Sequence, residues 1–169
     1  MGADMQFDKE ETLALAREHF EQNRIEEALG RVKQLLEGDI AVPGARELAA
    51  RIYIRLRLYD RAIALLQRCL ELDPESLERQ LELAMVYQDS GDLDTALNRW
   101  DALLERHPLM PPALFNAAWL LAQRKQFADA NRHIEVLLQT AAEDNLYIGR
   151  ARELQRTLSG NASSPIRLS

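Results

Sequence analysis

Apolar residues recur along this chain at helical spacing, in blocks separated by short polar turns such as Asp89-Ser90-Gly91-Asp92. Residues three and four apart share one face of a helix, so each block predicts an amphipathic helix. The blocks also repeat one another. Ala28, Ala62, Ala96 and Ala130 are each 34 residues apart, and a second small series, Ala16, Ala50, Ala84 and Ala118, keeps the same step. Leu36, Leu70, Leu104 and Leu138 form a third. Bulky apolar residues lie in phase with them: Ile25, Tyr59, Leu93 and Phe127 before the first alanine series, Val32, Leu66, Trp100 and Ile134 after it. Small residues let two helix backbones approach, and large ones fill the neighbouring gaps. A period of this size marks a repeat architecture, because one unit alone cannot bury its apolar stripe and stacked units can.

The expected fold is therefore all-α: an α-solenoid of four helix-turn-helix repeats over 9–42, 43–76, 77–110 and 111–144, closed by a capping helix over 145–158. Residues 1–8 form an N-terminal extension and 159–169 a flexible, helix-breaking tail. Asp8 with Glu11 reads as a capping-box-like start to the first helix. The capping helix carries Leu146, Ile148, Ala151, Leu154 and Leu158 as its apolar residues, and Arg150, Arg152, Glu153, Gln155 and Arg156 as its polar ones. Asn23, Arg57, Gly91 and Lys125 share one turn register. Asn23 and Gly91 suit a left-handed backbone there, whereas Arg57 and Lys125 bear a β-carbon penalty. Two readings of the tail stay open: a free end with no such contact, or one whose Ile166 and Leu168 reach the fourth unit and transiently cover the region of Phe115 and Trp119.

Composition narrows the function. With 47% hydrophobic, 28% charged and 6% aromatic residues in 169, the chain is a packed globule and not a disordered one. A formal net charge of −6 argues against nucleic acid as a partner, because binding phosphates requires a basic surface. No apolar run reaches the roughly 18–20 residues that cross a bilayer, so no membrane role and a cytoplasmic location are expected. Cys69 is the single cysteine, which excludes an intramolecular disulfide and a multi-cysteine zinc site. His19, His107 and His133 lie in no metal-ligand spacing with one another or with Cys69. No phosphate-binding glycine loop and no nucleophile elbow is present. The chain is thus expected to be no enzyme, with no catalytic residue, metal or cofactor.

Leu83-Ala84 and Tyr87, followed by Gly91, Leu93, Ala96, Trp100 and Pro108, resemble the tetratricopeptide repeat pattern position by position, and Ala50, Tyr53, Tyr59, Ala62, Leu66 and Pro74 repeat the agreement. The resemblance covers residues 9–144. Thr12, Arg46, Gln80 and Leu114 depart from it where the family often has an early tryptophan; Ile40 and Ala142 stand where it has a closing proline. The resemblance implies that the first helix of each unit lines a concave groove that grips a peptide. In those registers the first two units offer Arg17, Arg51 and Arg55, and the last two offer Leu81, Met85, Phe115, Asn116 and Trp119. Guanidinium groups suit carboxylates, exposed Trp, Met and Phe anchor interfaces, and an asparagine amide pairs with a peptide backbone. The family's clamp for chaperone C-terminal tails is absent, since units one to three present Leu13, Arg17, Ala14, Glu78 and Glu82 at its positions. The expected function is a non-enzymatic adaptor, monomeric or weakly homo-oligomeric, for a protein or peptide partner carrying acidic or C-terminal carboxylate groups. Two alternatives stay open: a small acidic secretion or assembly chaperone, and a self-associating scaffold.

Overall fold

A computed structural model of the chain describes residues 2–37 and 42–160, with side chains from residue 8 onward. The tail residues 161–169, Ile166 and Leu168 among them, and Ile40 lie outside the described residues. Nine helices and no strand occur among the described residues: α1 (Gly2–Glu21), α2 (Ile25–Leu36), α3 (Ala45–Arg55), α4 (Tyr59–Leu72), α5 (Leu77–Ser90), α6 (Leu93–Arg106), α7 (Pro111–Gln123), α8 (Phe127–Thr140) and α9 (Leu146–Gly160). The all-α, helix-turn-helix reading of the sequence holds. The helices group into two compact units, Met1–Gly91 with α1 to α5 and Asp92–Ser169 with α6 to α9. In the first, α1 packs on α2 and α3 on α4, while α2–α3 and α4–α5 contacts join successive pairs. In the second, α7 packs on α6 and α8, and α9 closes on both α8 and α7.

Burial follows the period. All eight alanines of the two small series are 0% exposed, and so are Val32, Leu66, Trp100 and Ile134. No buried polar or charged residue occurs among the described residues. The packing is therefore set by van der Waals contact and apolar burial, with the alanines setting how closely helix axes approach. Leu35, Cys69, Leu103 and Leu137 are likewise buried, so Cys69 serves as a small core hydrophobe.

The turns repeat with the same fidelity. Asn23, Arg57, Gly91 and Lys125 have φ of 60, 57, 88 and 62°. At three of them the chain closes with the pair of bonds of a Schellman motif: Arg24 N donates to His19 O, Leu58 N to Tyr53 O and Gln126 N to Leu121 O. Arg57 and Lys125 do adopt the left-handed conformation that suits glycine, because the helix pair on either side leaves the connection no other path.

Three local expectations differ from the structure. The first helix begins at Gly2 and runs through Asp8, whose carbonyl accepts from Thr12 Oγ1 at 2.8 Å, so Asp8 does not cap it. Ser159 and Gly160, read as tail, complete α9, where Ser159 Oγ donates to Gln155 O at 2.9 Å. Leu146 is 69% exposed, leaving Ile148, Ala151, Leu154 and Leu158 as the buried stripe of α9. Spacing accounts for this: Leu146 falls off the stripe, two residues before Ile148 and five before Ala151.

Three outcomes are expected. Trp100→Ala should destabilise by about 3–5 kcal/mol, read from urea unfolding, because no neighbouring side chain can fill so large a gap. Arg57→Gly and Lys125→Gly should each stabilise by about 1 kcal/mol by relieving the left-handed strain, offset in part by unfolded-chain entropy; a loss at both positions would refute the strain. Burial holds His133 on α8 below its usual pKa, against the opposing pull of Asp101. The unfolded chain then binds more protons than the fold just below the ordinary imidazole value of about 6.5. Stability should fall as pH drops through that window, and the slope should shrink in His133→Gln.

Candidate functional site

Each compact unit presents its own first-helix face, and the residues singled out from the sequence divide between them. In the first unit Arg17 projects from α1 over Gly44, whose φ is 84° at the start of α3; a β-carbon on Gly44 would stand 2.5 Å from the Arg17 Nη2. The left-handed backbone favours glycine there, and the end of the flexible Arg17 side chain lies against it. Arg17 has no ion-pair partner among the described residues.

Arg51 and Arg55 are otherwise engaged. Arg51 Nε on α3 donates to Glu82 Oε1 on α5 at 3.0 Å, and its Nη2 pairs with Glu78 Oε1. Arg79 joins the group through its Nη1, 2.8 Å from Glu82 Oε2 and 3.3 Å from Glu78 Oε1. Burial opposes the charge on Arg79, but the hydrogen bond and charge of Glu82 outweigh it and raise its pKa. Two arginines and two glutamates here neutralise one another across neighbouring first helices. Arg55 Nη2 donates to Asn23 Oδ1 at 2.8 Å, tying the end of α3 to the α1–α2 turn. The three arginines are therefore not an open basic spot: Arg51 is paired, Arg55 braces a turn, and Arg17 remains available. Pairing of this kind depends on which carboxylates the fold brings opposite, 27 and 31 residues away in sequence.

Beside this network α5 carries an apolar stripe at four-residue spacing. Leu77 is 37% exposed, Leu81 half-buried and Met85 49% exposed, while Leu83, Ala84 and Val86 face the core.

In the second unit Phe115, Asn116 and Trp119 share the outward side of α7, all half-buried. The opposite side, with Ala113, Leu114, Ala117, Ala118, Leu120 and Leu121, is buried. Pro111 at the first helical position preorganises the start of α7, and no residue of the helix is charged. Asn116 Nδ2 donates to Pro112 O at 2.7 Å, which holds the amide against its own helix. Phe115 meets Tyr147 of α9 with ring centroids 5.6 Å apart and planes tilted by 43°. The guanidinium carbon of Arg150 on α9 lies 5.8 Å from the Tyr147 centroid. Tyr147 and Arg150 escaped sequence reasoning because α9 was read only as a solvating cap. The signal was present: Arg150 stands 34 residues after Asn116, in a groove register.

The described first-helix faces offer apolar and polar contacts. No cluster of three or more metal-ligating side chains occurs among the described residues. Burial raises the pKa of the Cys69 thiol, which disfavours the nucleophilic thiolate. His19 Nδ1 is buried without a hydrogen-bond partner among the described residues. No described helix is long and apolar enough to cross a membrane.

Several known structures share this architecture. YrrB, a tetratricopeptide repeat protein with an unusual peptide-binding site, superposes with a TM-score of 0.69 at 20% identity, covering 82% of this chain and 71% of that one. A tetratricopeptide repeat protein from Parabacteroides merdae gives 0.76 at 18% identity, with 90% of this chain and 60% of that one covered. MamA from Desulfovibrio magneticus gives 0.71 at 14% identity, with 93% and 97% covered. At these identities the likeness is one of fold. No curated protein matches the chain. The family model for the tetratricopeptide repeat matches residues 13–76 and 81–145. Sequence period, helix pairing and turn geometry agree with that match over most of the chain, which belongs to the tetratricopeptide repeat family.

Proposed function

We propose that the chain is a non-enzymatic interaction adaptor that binds a peptide segment or helix of a partner protein on its first-helix faces. One observation carries this reading. α7 has no charged residue, yet it keeps Phe115 and Trp119 only half-buried on the side away from its core. Leaving large aromatics partly in water costs stability, and Trp is the side chain that most often anchors an interface. Trp100, by contrast, is 0% exposed and serves the core. The partly exposed Leu81 and Met85 give the first unit a second apolar contact surface. Tetratricopeptide repeats generally serve protein interaction, and the peptide-binding site of YrrB shows a related fold in that use.

The proposed preference for acidic or C-terminal carboxylate groups rests in the first unit on Arg17, since Arg51 already holds Glu78 and Glu82. A ligand carboxylate would have to displace those glutamates to reach Arg51, which leaves two acids unpaired. Arg17 has no such competitor among the described residues.

Selection of peptides from a random dodecapeptide phage library on the full chain, followed by fluorescence anisotropy with the enriched sequences, tests the proposal. Trp119→Ala should leave the melting temperature within a few degrees of wild type and weaken binding by about 2 kcal/mol or more. Equal affinity for wild type and Trp119→Ala, or a failure to enrich any peptide, would refute it.

A further inference from the structure

Three acids share one register at the start of the second helices. Glu26, Asp60 and Asp94 stand 34 residues apart, each the second residue of its helix. Leu56, Ser90 and Arg124 keep the same step at the ends of the first helices that follow. In the second compact unit the two registers meet, and the Arg124 guanidinium donates to the Asp94 carboxylate. In the first unit the corresponding residues are Ser90 and Asp60. Serine brings no cation, and its hydroxyl donates to Tyr87 O at 2.8 Å. Asp60 takes part in no hydrogen bond or ion pair among the described residues.

Where the second unit has its arginine, the first has a cleft of about 320 Å³, lined by Arg57, Leu58, Tyr59, Asp60, Arg61 and Ser90. The charged groups that line it are not equivalent. Burial raises the pKa of Asp89, and the charge of Arg57 opposes that rise, so Arg57 already acts on an acid of its own. The guanidinium carbon of Arg61 lies 5.6 Å from the centroid of the Tyr53 ring, within reach of cation–π attraction. Each lining arginine therefore has a counterpart, and Asp60 has none. Leu58, 41% exposed, and the half-buried Tyr59 add an apolar wall to the same cleft.

We propose that this cleft receives an arginine side chain of a partner protein, with the guanidinium on Asp60 and the methylene stem against Leu58 and Tyr59. Two arguments select that occupant. The chain itself joins guanidinium to carboxylate in the same two registers, at Arg124 and Asp94. Arginine also combines a planar donor fork with an aliphatic stem, which is what an acid beside an apolar wall requires. An exposed ion pair alone binds weakly, so both parts of the cleft are needed. Neither Phe115 nor Trp119 takes part, and the proposal stands or falls apart from the peptide-binding reading above.

Titration of the full chain with N-acetyl-L-arginine amide, followed residue by residue by heteronuclear NMR, tests it. The amide signals of Asp60 and Ser90 should shift in a saturable way, and the apparent affinity should fall as salt is raised. Asp60→Asn should weaken it about fivefold or more. Ser90→Arg supplies the cation from within, as Arg124 does for Asp94; it should keep the helical circular dichroism of wild type and abolish the shifts. Arg124→Ser performs the converse and should add probe-dependent shifts at Asp94. Absence of saturable shifts in wild type, or binding unchanged in both Asp60→Asn and Ser90→Arg, overturns the proposal. So does a response of the same amides to inorganic phosphate but not to the arginine amide, which would assign the cleft to Arg57 and Arg61.

Discussion

The helices of this protein bury alanine at every repeat. Eight alanines in two registers are sealed from water, and every larger residue in the core is placed by the distance they allow. Trp100, Leu66, Val32 and Ile134 differ greatly in volume while sharing a register, so the remaining space in each pair must be made up by partners that differ too. What is invariant is the small residue. An added methyl or ethyl group there would push two backbones apart, whereas a change at the large position is absorbed by its neighbours. The chain tolerates variety at its bulky positions because its small ones fix the geometry.

This constraint explains why the turns are conformationally expensive. With helix separation set by alanine, the connection must reverse within a few residues, and one residue in each of these turns takes a positive φ whatever its identity. Arg57 and Lys125 bear a cost that Gly91 avoids. Surface charge is then arranged around a frame already decided. The Arg51, Glu78, Arg79 and Glu82 group spans α3 and α5 at the margin of the core, where exposed pairs contribute about 0–1 kcal/mol each. Its main effect is on recognition: it removes one arginine from the first unit's face and leaves Arg17 as that face's available cation.

Most of this fold could be read in the chain as text, and the reason is repetition. Ala28 alone says little, but four residues in one register say that the position is interior. The same argument put Arg57 and Lys125 in one register with Gly91, and the structure gives all three a positive φ. Repetition fails at the ends, where a unit has no neighbour to be compared with. The start of α1 before Asp8 and the completion of α9 by Ser159 and Gly160 were missed for that reason. It fails also for side chains that meet across helices. Nothing local to Arg51 marks Glu78 and Glu82 as its partners, and nothing local to Phe115 marks Tyr147. The candidate residues lie on first helices, and which of them are paired depends on neighbours that only the folded chain supplies.

The single thiol gives this molecule a way to report its own breathing. Cys69 sits in the core of the first unit on α4, 6% exposed, with burial holding it protonated. A thiol reagent in solvent reaches it only when α4 lifts from its neighbours, so the rate of modification measures the free energy of that local opening. No second cysteine contributes to the signal. Occupancy of the first unit's face, if it rigidifies the helix pairs, is then visible as slowed labelling at a residue that touches no ligand.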